Sequence, residues 1–468
     1  MPDLLLAHGY FLYEDPKELQ IMKPYAPLGI LYLCSHLRGK GFDVEVFDTT
    51  FSSREKLFAH LRSETPAVLG LYANLMTRSN VVQTIGVAKE AGWRVIVGGP
   101  EPGAYALEYL QAGAEFVVMG EGEATMEELM TALCDGEDRY SSNWRERIAG
   151  IAYLDDGQLR QNMPRTQIAD LDAQPWPARH AIDIQRYVQT WRTHHGKGSI
   201  NFITARGCPY KCRWCSHQVY GQTHRRRNPL KVVDEVEWLL GEYTPEMVWV
   251  SDDVFTINHA WLREYAGEMR RRGLRIPFEC ISRADRLNEE MLDLLAELGC
   301  FRIWIGSESG SQRLLDSMDR GVKIEQVQNA IAMSRARGIQ SGMFLMWGYE
   351  GEQMEDIEAT IQHVRKSQPD IFFTTVSYPI KGTPYYQEIQ SKLVQLKPWA
   401  QGSDREIRIR GRHSQQYYAH ADKLLRDEVE LSRQSALQMP DHDAVQRLQA
   451  SIETARASLL ACSTEVEA

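Results

Sequence analysis

Three cysteines, Cys208, Cys212 and Cys215, fall within one eight-residue stretch of a 468-residue chain. In a reducing compartment so tight a cluster points to a metal before a disulfide. At a C-x3-C-x2-C spacing the loop Ala205–Cys215 can hold three irons of a [4Fe–4S] cluster, whose usual complement is four cysteines. No fourth cysteine lies near in sequence, so one iron would stay open to an exogenous ligand. Zinc is the alternative, since His217 lies two residues past Cys215 and Cys3His is a structural zinc set, although zinc sites more often use paired C-x2-C knuckles. Cys34, Cys134, Cys280, Cys300 and Cys462 stand singly, mostly beside apolar residues, as small buried thiols do. Carboxylates, hydroxyls and an arginine recur at Ser251-Asp252-Asp253, Ser282-Arg283 and Ser307-Glu308-Ser309. Each has a plainer role available: Asp252 or Ser282 as a helix N-cap, Arg283 in a surface ion pair.

These groups need elements to hold them. Strands are expected at 200–205, 247–251, 277–281, 301–306, 340–347 and 370–377, with helices at 229–242, 259–272, 288–298, 324–337 and 353–367. Six such βα units in ~190 residues fall short of the eight units and ~250 residues of a full barrel, so a partial (β/α)6 barrel is expected, with the polar groups at the carboxyl ends of its strands. Ahead of it, 3–8, 43–47, 67–72, 94–98 and 115–119 read as strands, four of them nearly continuous apolar runs, as burial on both faces demands. Helical spacing fills the gaps between them, for example at 28–38 and 81–90, which suits a Rossmann-like, flavodoxin-like sheet. The chain is therefore divided at 1–135 (Rossmann-like domain), 136–198 (linker), 199–392 (partial barrel) and 393–468 (helical C-terminal region). The linker opens on polar 135–143, holds a hairpin over 150–161 turning at Asp155-Asp156-Gly157, and is marked by Pro164, Pro175 and Pro177. No internal repeat or low-complexity tract is present.

With 53 Lys and Arg against 63 Asp and Glu, the formal net charge of −10 argues against nucleic-acid binding driven by counterion release. Apolar residues at 43% and charged residues at 25% describe a globular chain. No apolar run approaches the ~18 residues of a membrane span. The first twenty residues lack a basic segment and turn acidic by Glu14 and Asp15, so no signal peptide and a cytoplasmic location are expected. Arg225-Arg226-Arg227 is expected to be a solvated loop with one arginine supporting the ligand pocket of the barrel. Trp176, Trp191, Trp214 and Trp347 are expected in the core or in pocket walls, and His194 and His195 in structural or exposed positions.

The cysteine loop, with Trp214 just before its third cysteine, resembles the cluster loop of radical S-adenosylmethionine (SAM) enzymes. In that family the open iron chelates the amino and carboxylate groups of SAM, and one electron then cleaves the sulfonium to a 5′-deoxyadenosyl radical. The resemblance runs from 199 to about 390. Asp252 and Asp253 are similar to the residues that contact the methionine amino group, and Ser282 and Arg283 to those for the ribose and carboxylate. Glu308 matches a ribose-binding position, while Trp347, ending the segment Gly342–Gly348, and Trp214 fall on the adenine side and in the cluster loop. Pro379–Pro384 resembles a further turn of the family.

The N-terminal domain resembles that of the cobalamin-binding members of the family. The matching segments are Pro24–Gly29, Val97–Pro100 and Gly120–Glu123. The resemblance implies cobalamin contacts from Tyr25, Leu28, Gly29, Thr49, Asn74, Gly98, Gly99, Pro100, Gly120, Glu121 and Gly122. No G-x-G-x-x-G follows the first strand, which weakens a nicotinamide reading. The D-x-H-x-x-G string that often supplies an axial histidine is missing too; Asp48-Thr49-Thr50 stands after the second strand, so no histidine of that motif is expected on the lower face of cobalt. The implied cofactors are thus a [4Fe–4S] cluster, SAM and cobalamin. The implied activity is methylation of an unactivated carbon or a phosphinate phosphorus, through methylcobalamin and a 5′-deoxyadenosyl radical. A non-methylating cyclase or ring-rearranging relative is the alternative, and a cobalamin carrier or sensor with a structural metal loop is the second. The expected partners are a small-molecule or natural-product substrate and an electron donor such as flavodoxin or ferredoxin, with no nucleic acid and no membrane span. No catalytic acid or base is assigned.

Overall fold

The computed structural model describes the chain apart from residues 1, 135–142, 217–220, 440, 465 and 468. His217 and most of the polar stretch 135–143 therefore lie outside the described residues. The chain divides into two units: Met1–Pro209 with Ser216–Trp249 and Lys397–Asp404, and Tyr210–Cys215 with Val250–Leu396 and Arg405–Ala468.

Seven strands form the sheet of the first unit: β1 (Leu4–His8), β2 (Val44–Phe47), β3 (Val68–Tyr72), β4 (Arg94–Gly98), β5 (Phe116–Val118), β6 (Ile151–Asp155) and β7 (Gln158–Gln161), in the order β2-β1-β3-β4-β5-β6-β7. The first five are parallel, with Leu4 opposite both Val44 and Val68. Their order 2-1-3-4-5 is the expected flavodoxin-like one. The continuous apolar runs follow from two cores: Leu5, Leu69, Val95 and Val117 bury one face, while Leu4, Leu6, Ile96 and Phe116 bury the other. Each such side chain contributes about 1.5–3 kcal/mol. The hairpin forms as expected, because Asp156 (φ 48°) and Gly157 (φ 76°) supply the two left-handed residues of a two-residue turn. It also lengthens the sheet, β6 running antiparallel to β5. A helix over Ile184–His195, capped by Asp183, occupies the segment read as linker.

From residue 199 to 376 six strands alternate with helices: β8 (Ser199–Phe202), then, past the short ribbon of β9 (Ala205–Arg206) and β10 (Arg225–Arg226), β11 (Met247–Val250), β12 (Phe278–Ser282), β13 (Cys300–Glu308), β14 (Gln340–Trp347) and β15 (Ile371–Val376). The second unit's own sheet is β12-β13-β14-β15, parallel throughout and in chain order. The fold is thus α/β, a Rossmann-like domain followed by a partial (β/α)6 arrangement and a helical C-terminal region. The two long C-terminal helices, Gln415–Ser435 and His442–Ala461, lie in the second unit. The first is bonded to the edge strand β15 and the turn before it, Asp422 accepting from Thr374 and Arg433 donating to the Pro369 carbonyl. Among the described residues no helix is long and apolar enough to cross a membrane.

Candidate cofactor sites

In the second unit the expected SAM residues gather at carboxyl ends of strands. Ser282 ends β12, fully buried, with its hydroxyl 2.5 Å from that of Thr256. Arg283 follows and its guanidinium is locked. Nε donates to Asp285 at 2.9 Å, Nη2 donates to the Arg320 carbonyl at 3.0 Å, and the plane lies 3.5 Å from the ring centre of Tyr210. Nη1 is buried with no partner among the described residues. An unmet donor on a fixed cation costs free energy unless an anion completes it, so the pocket fits the carboxylate of SAM. Glu308 ends β13 past a register shift at Gly306, in the left-handed region (φ 63°) that few non-glycine residues adopt. Burial raises its carboxyl above the usual range, against the pull of Arg320 and Arg283. Trp347 ends β14, buried, its indole Nε1 without a partner among the described residues. Asp252 is buried and Asp253 half-buried just past β11, and Trp214 packs against Leu314, Met318 and Tyr385.

Cys212 and Cys215 belong to the second unit, and Cys208 closes the first segment of the first. Among the described residues no three His, Cys, Asp or Glu side chains converge as they would on a single ion. Burial pushes the Cys212 thiol up, while Arg320 draws it down. Of the single cysteines, Cys34, Cys280, Cys300 and Cys462 are buried as expected, but Cys134 is exposed, at the end of its helix.

The first unit contains a cleft of about 1060 Å³, counted to its open mouth, at the carboxyl ends of its strands. Leu28, Gly29, Gly98, Gly99, Pro100, Gly120, Glu121 and Gly122 all line it, over a floor that includes Leu6, Ile96, Val118 and Met126. Two glycines show how close the backbone comes. At Gly99 (φ 118°) a Cβ would sit 2.3 Å from the Ala73 carbonyl oxygen, and at Gly120 (φ 80°) it would meet only open space. A large, mostly apolar cleft with glycine rims fits the nucleotide tail of cobalamin. The other three expected residues are not among those lining it. Tyr25 lies against Trp191 and Trp249, buried Thr49 donates to the carbonyls of His8 and Tyr10, and the Asn74 side chain accepts from the amides of Met76 and Thr77.

Two stretches of the chain match known families: residues 21–130 the B12 binding domain, and residues 202–364 the radical SAM superfamily. The chain thus carries both a B12 binding domain and a radical SAM domain. Its cofactors are a [4Fe–4S] cluster, SAM and cobalamin. It is 28% identical over 386 residues to an uncharacterized methyltransferase of Pyrococcus horikoshii, covering 80% of each chain. It is 26% identical over 389 residues to an anaerobic magnesium-protoporphyrin IX monomethyl ester cyclase of Cereibacter sphaeroides, covering 80% of this chain and 62% of the cyclase. The fold matches the solved radical SAM methyltransferase TsrM of Kitasatospora setae, with cobalamin and [4Fe–4S] cluster bound, at a TM-score of 0.67 and 21% identity over 84% of this chain and 75% of that one.

Several residues of this radical SAM enzyme escaped the sequence. Glu121 does line the cleft, but its carboxylate is already taken by Arg206 at 3.0 Å, Arg225 at 2.7 Å and the Ile168 amide at 2.7 Å. Arg225–Arg227 is therefore no solvated loop: Arg225 serves the cleft wall and buried Arg227 pairs with buried Glu235, because Glu121, 104 positions away, and Glu235, 8 positions on, neutralise them. His8, at the end of β1, has both ring nitrogens engaged, Nδ1 with the Thr49 hydroxyl at 2.8 Å and Nε2 with Asp48 at 3.2 Å. Burial would raise the Asp48 carboxyl, but His8 and other hydrogen-bond partners hold it low. Beside the cleft, buried Arg78 joins Glu101 and Asp404, backed by Tyr109 and Tyr105. Trp191 is buried as expected, whereas Trp176 is 37% exposed. His195 Nε2 donates to the Ile21 and Met22 carbonyls, an anchoring role.

Proposed function

We propose that this cobalamin-dependent radical SAM enzyme is a methyltransferase acting on an unactivated carbon, or a phosphinate phosphorus, of a small-molecule substrate. The observation that carries the reading is the methyltransferase relative that shares 80% of its length with this chain. When bound, the cluster and cobalamin supply a reducing electron for SAM and a carrier for its methyl group. The chain's own residues do the rest. Arg283 offers its unmet Nη1–H to the carboxylate of SAM, held rigid by Asp285 and Tyr210 so that no ordering cost falls on binding. Glu308 presents its carboxylate to the ribose hydroxyls, and Ser282 a hydroxyl beside them. Asp252 and Asp253 take the methionine amino group, Trp347 and Trp214 wall the site, and Cys208, Cys212 and Cys215 ligate the cluster. The glycine rim at 98–99 and 120–122 lets backbone approach the cobalamin tail, and Arg206 and Arg225 hold Glu121 in that wall. A reducing cytoplasm and an electron donor such as flavodoxin or ferredoxin complete the reading.

One anaerobic turnover tests it, with methylated product, S-adenosylhomocysteine and 5′-deoxyadenosine quantified together. The methyltransferase yields all three. Deoxyadenosine without homocysteine product contradicts methylation and favours ring formation, the reaction named for the cyclase relative at 26% identity.

A further inference from the structure

Arg320 sits in a tight turn after the helix Gln312–Ser317. Asp319 (φ 52°) and Gly321 (φ 63°) flank it in the left-handed region, and its amide closes back onto the Leu315 carbonyl at 2.9 Å. That turn drives the side chain inward, leaving the residue 6% exposed. Each nitrogen of its guanidinium then faces a different part of the site. Nη1 donates to Cys212 Sγ at 3.9 Å, and Nη2 donates to the Gly306 carbonyl at 2.7 Å. Nε stands 3.5 Å from Glu308 Oε1, too poorly aligned for a hydrogen bond, and has no other partner among the described residues. The approach is built in on both sides. A Cβ on Gly306 would meet Nη2 at 2.7 Å, so a glycine makes the room, and the Arg213 amide ties the cysteine loop to the Met318 carbonyl at 3.0 Å.

A guanidinium keeps its charge at any working pH, and burying it without compensation is costly. A lone Glu308 at 3.5 Å, out of hydrogen-bond alignment, compensates it only in part. A thiolate bound to iron completes the balance, and a fixed cation on a ligating sulfur favours the cluster form carrying the extra electron.

We propose that Arg320 is a positioning residue that raises the reduction potential of the cluster bound through Cys212, with Glu308 tempering its charge. The inference rests on the reading that the cysteine loop holds a [4Fe–4S] cluster. It makes two opposite predictions. Arg320→Gln removes the cation and lowers the potential; Glu308→Gln frees the cation and raises it.

The test is an anaerobic redox titration of the reconstituted full-length protein, followed by electron paramagnetic resonance without SAM, with iron counted in every sample. At the potential where the wild-type cluster is half reduced, the ratio of reduced to oxidised cluster falls about tenfold in Arg320→Gln, equivalent to about 59 mV for a one-electron couple. Arg320→Lys, which keeps the charge, stays closer to the wild type, and Glu308→Gln shifts the other way. Iron-replete Arg320→Gln with an unmoved midpoint overturns the proposal. Should Arg320→Gln lose its iron, Glu308→Gln decides, and an unmoved midpoint there overturns it equally. A wild-type protein that takes up no iron overturns instead the cluster reading on which the proposal stands.

Discussion

Replacing Gly99 with alanine tests the cleft proposed for cobalamin at its tightest point. The added methyl would lie 2.3 Å from the Ala73 carbonyl oxygen and 3.1 Å from the Ala73 amide nitrogen. Neither can step aside easily, because that amide donates to the Gly98 carbonyl at 2.8 Å and so holds the ends of β3 and β4 together. The backbone adds strain of its own, since φ is 118°. Overpacking costs about 1–3 kcal/mol, and holding a non-glycine residue in such a conformation about 1–3 kcal/mol more. The sum, about 2–6 kcal/mol, is a large part of the roughly 5–15 kcal/mol that stabilises a folded protein. At about 2–4 °C per kcal/mol, melting should fall by roughly 5–20 °C. Gly98→Ala is the control, because its methyl would rest 3.7 Å from Val118, an ordinary contact. The assay is thermal unfolding of both variants, with cobalt retained through gel filtration measured alongside. Gly99→Ala melting with the wild type and holding equal cobalt would refute the reasoning.

Three further outcomes are expected. Asp404→Ala strips Arg78 of one of its two buried carboxylates and should cost about 3–5 kcal/mol in chemical denaturation; a change below about 1 kcal/mol would show that the segment Lys397–Asp404 is not held by this pair. Glu352 is buried and its carboxyl is pushed up to about 8, chiefly by desolvation and further by Asp356, against the Gly348 amide, Arg412 and Arg313. An acid with a raised folded pKa stabilises fully below its unfolded value and loses that stabilisation as pH rises. Melting should therefore decline from about pH 5 to pH 8, and Glu352→Gln should flatten the slope; an unchanged profile contradicts this protonated state. On the lower face of cobalt, the cob(II)alamin form should show no histidine nitrogen coupling in electron paramagnetic resonance, since His8 has both nitrogens engaged and Asp48–Thr50 carries none.

What was legible in the sequence followed from local physics. The strands β1 to β5 could be read because side chains buried on alternate faces leave apolar runs, and the hairpin because Asp156-Gly157 suits only a tight turn. The glycine rim of the cleft was readable for the same reason, its positions standing at or soon after the ends of β4 and β5. The helix Ile184–His195 was hidden by the prolines around it, although Ile184, Tyr187, Val188 and Trp191 recur at helical spacing. Charge partners could not be read at all. Glu121 and Arg225 are 104 positions apart, and Arg78 and Asp404 are 326. Arg320 carried no local signal either, since only the fold brings its guanidinium to Cys212.

Metal content bears most directly on the central claim that one chain holds both a cluster and cobalamin. Anaerobic reconstitution with iron, sulfide and hydroxocobalamin should give about four irons and about one cobalt per chain after gel filtration. Replacing Cys208, Cys212 and Cys215 together with alanine should remove the iron and leave the cobalt. Zinc in place of iron in the wild type, or no retained cobalt, would contradict the account.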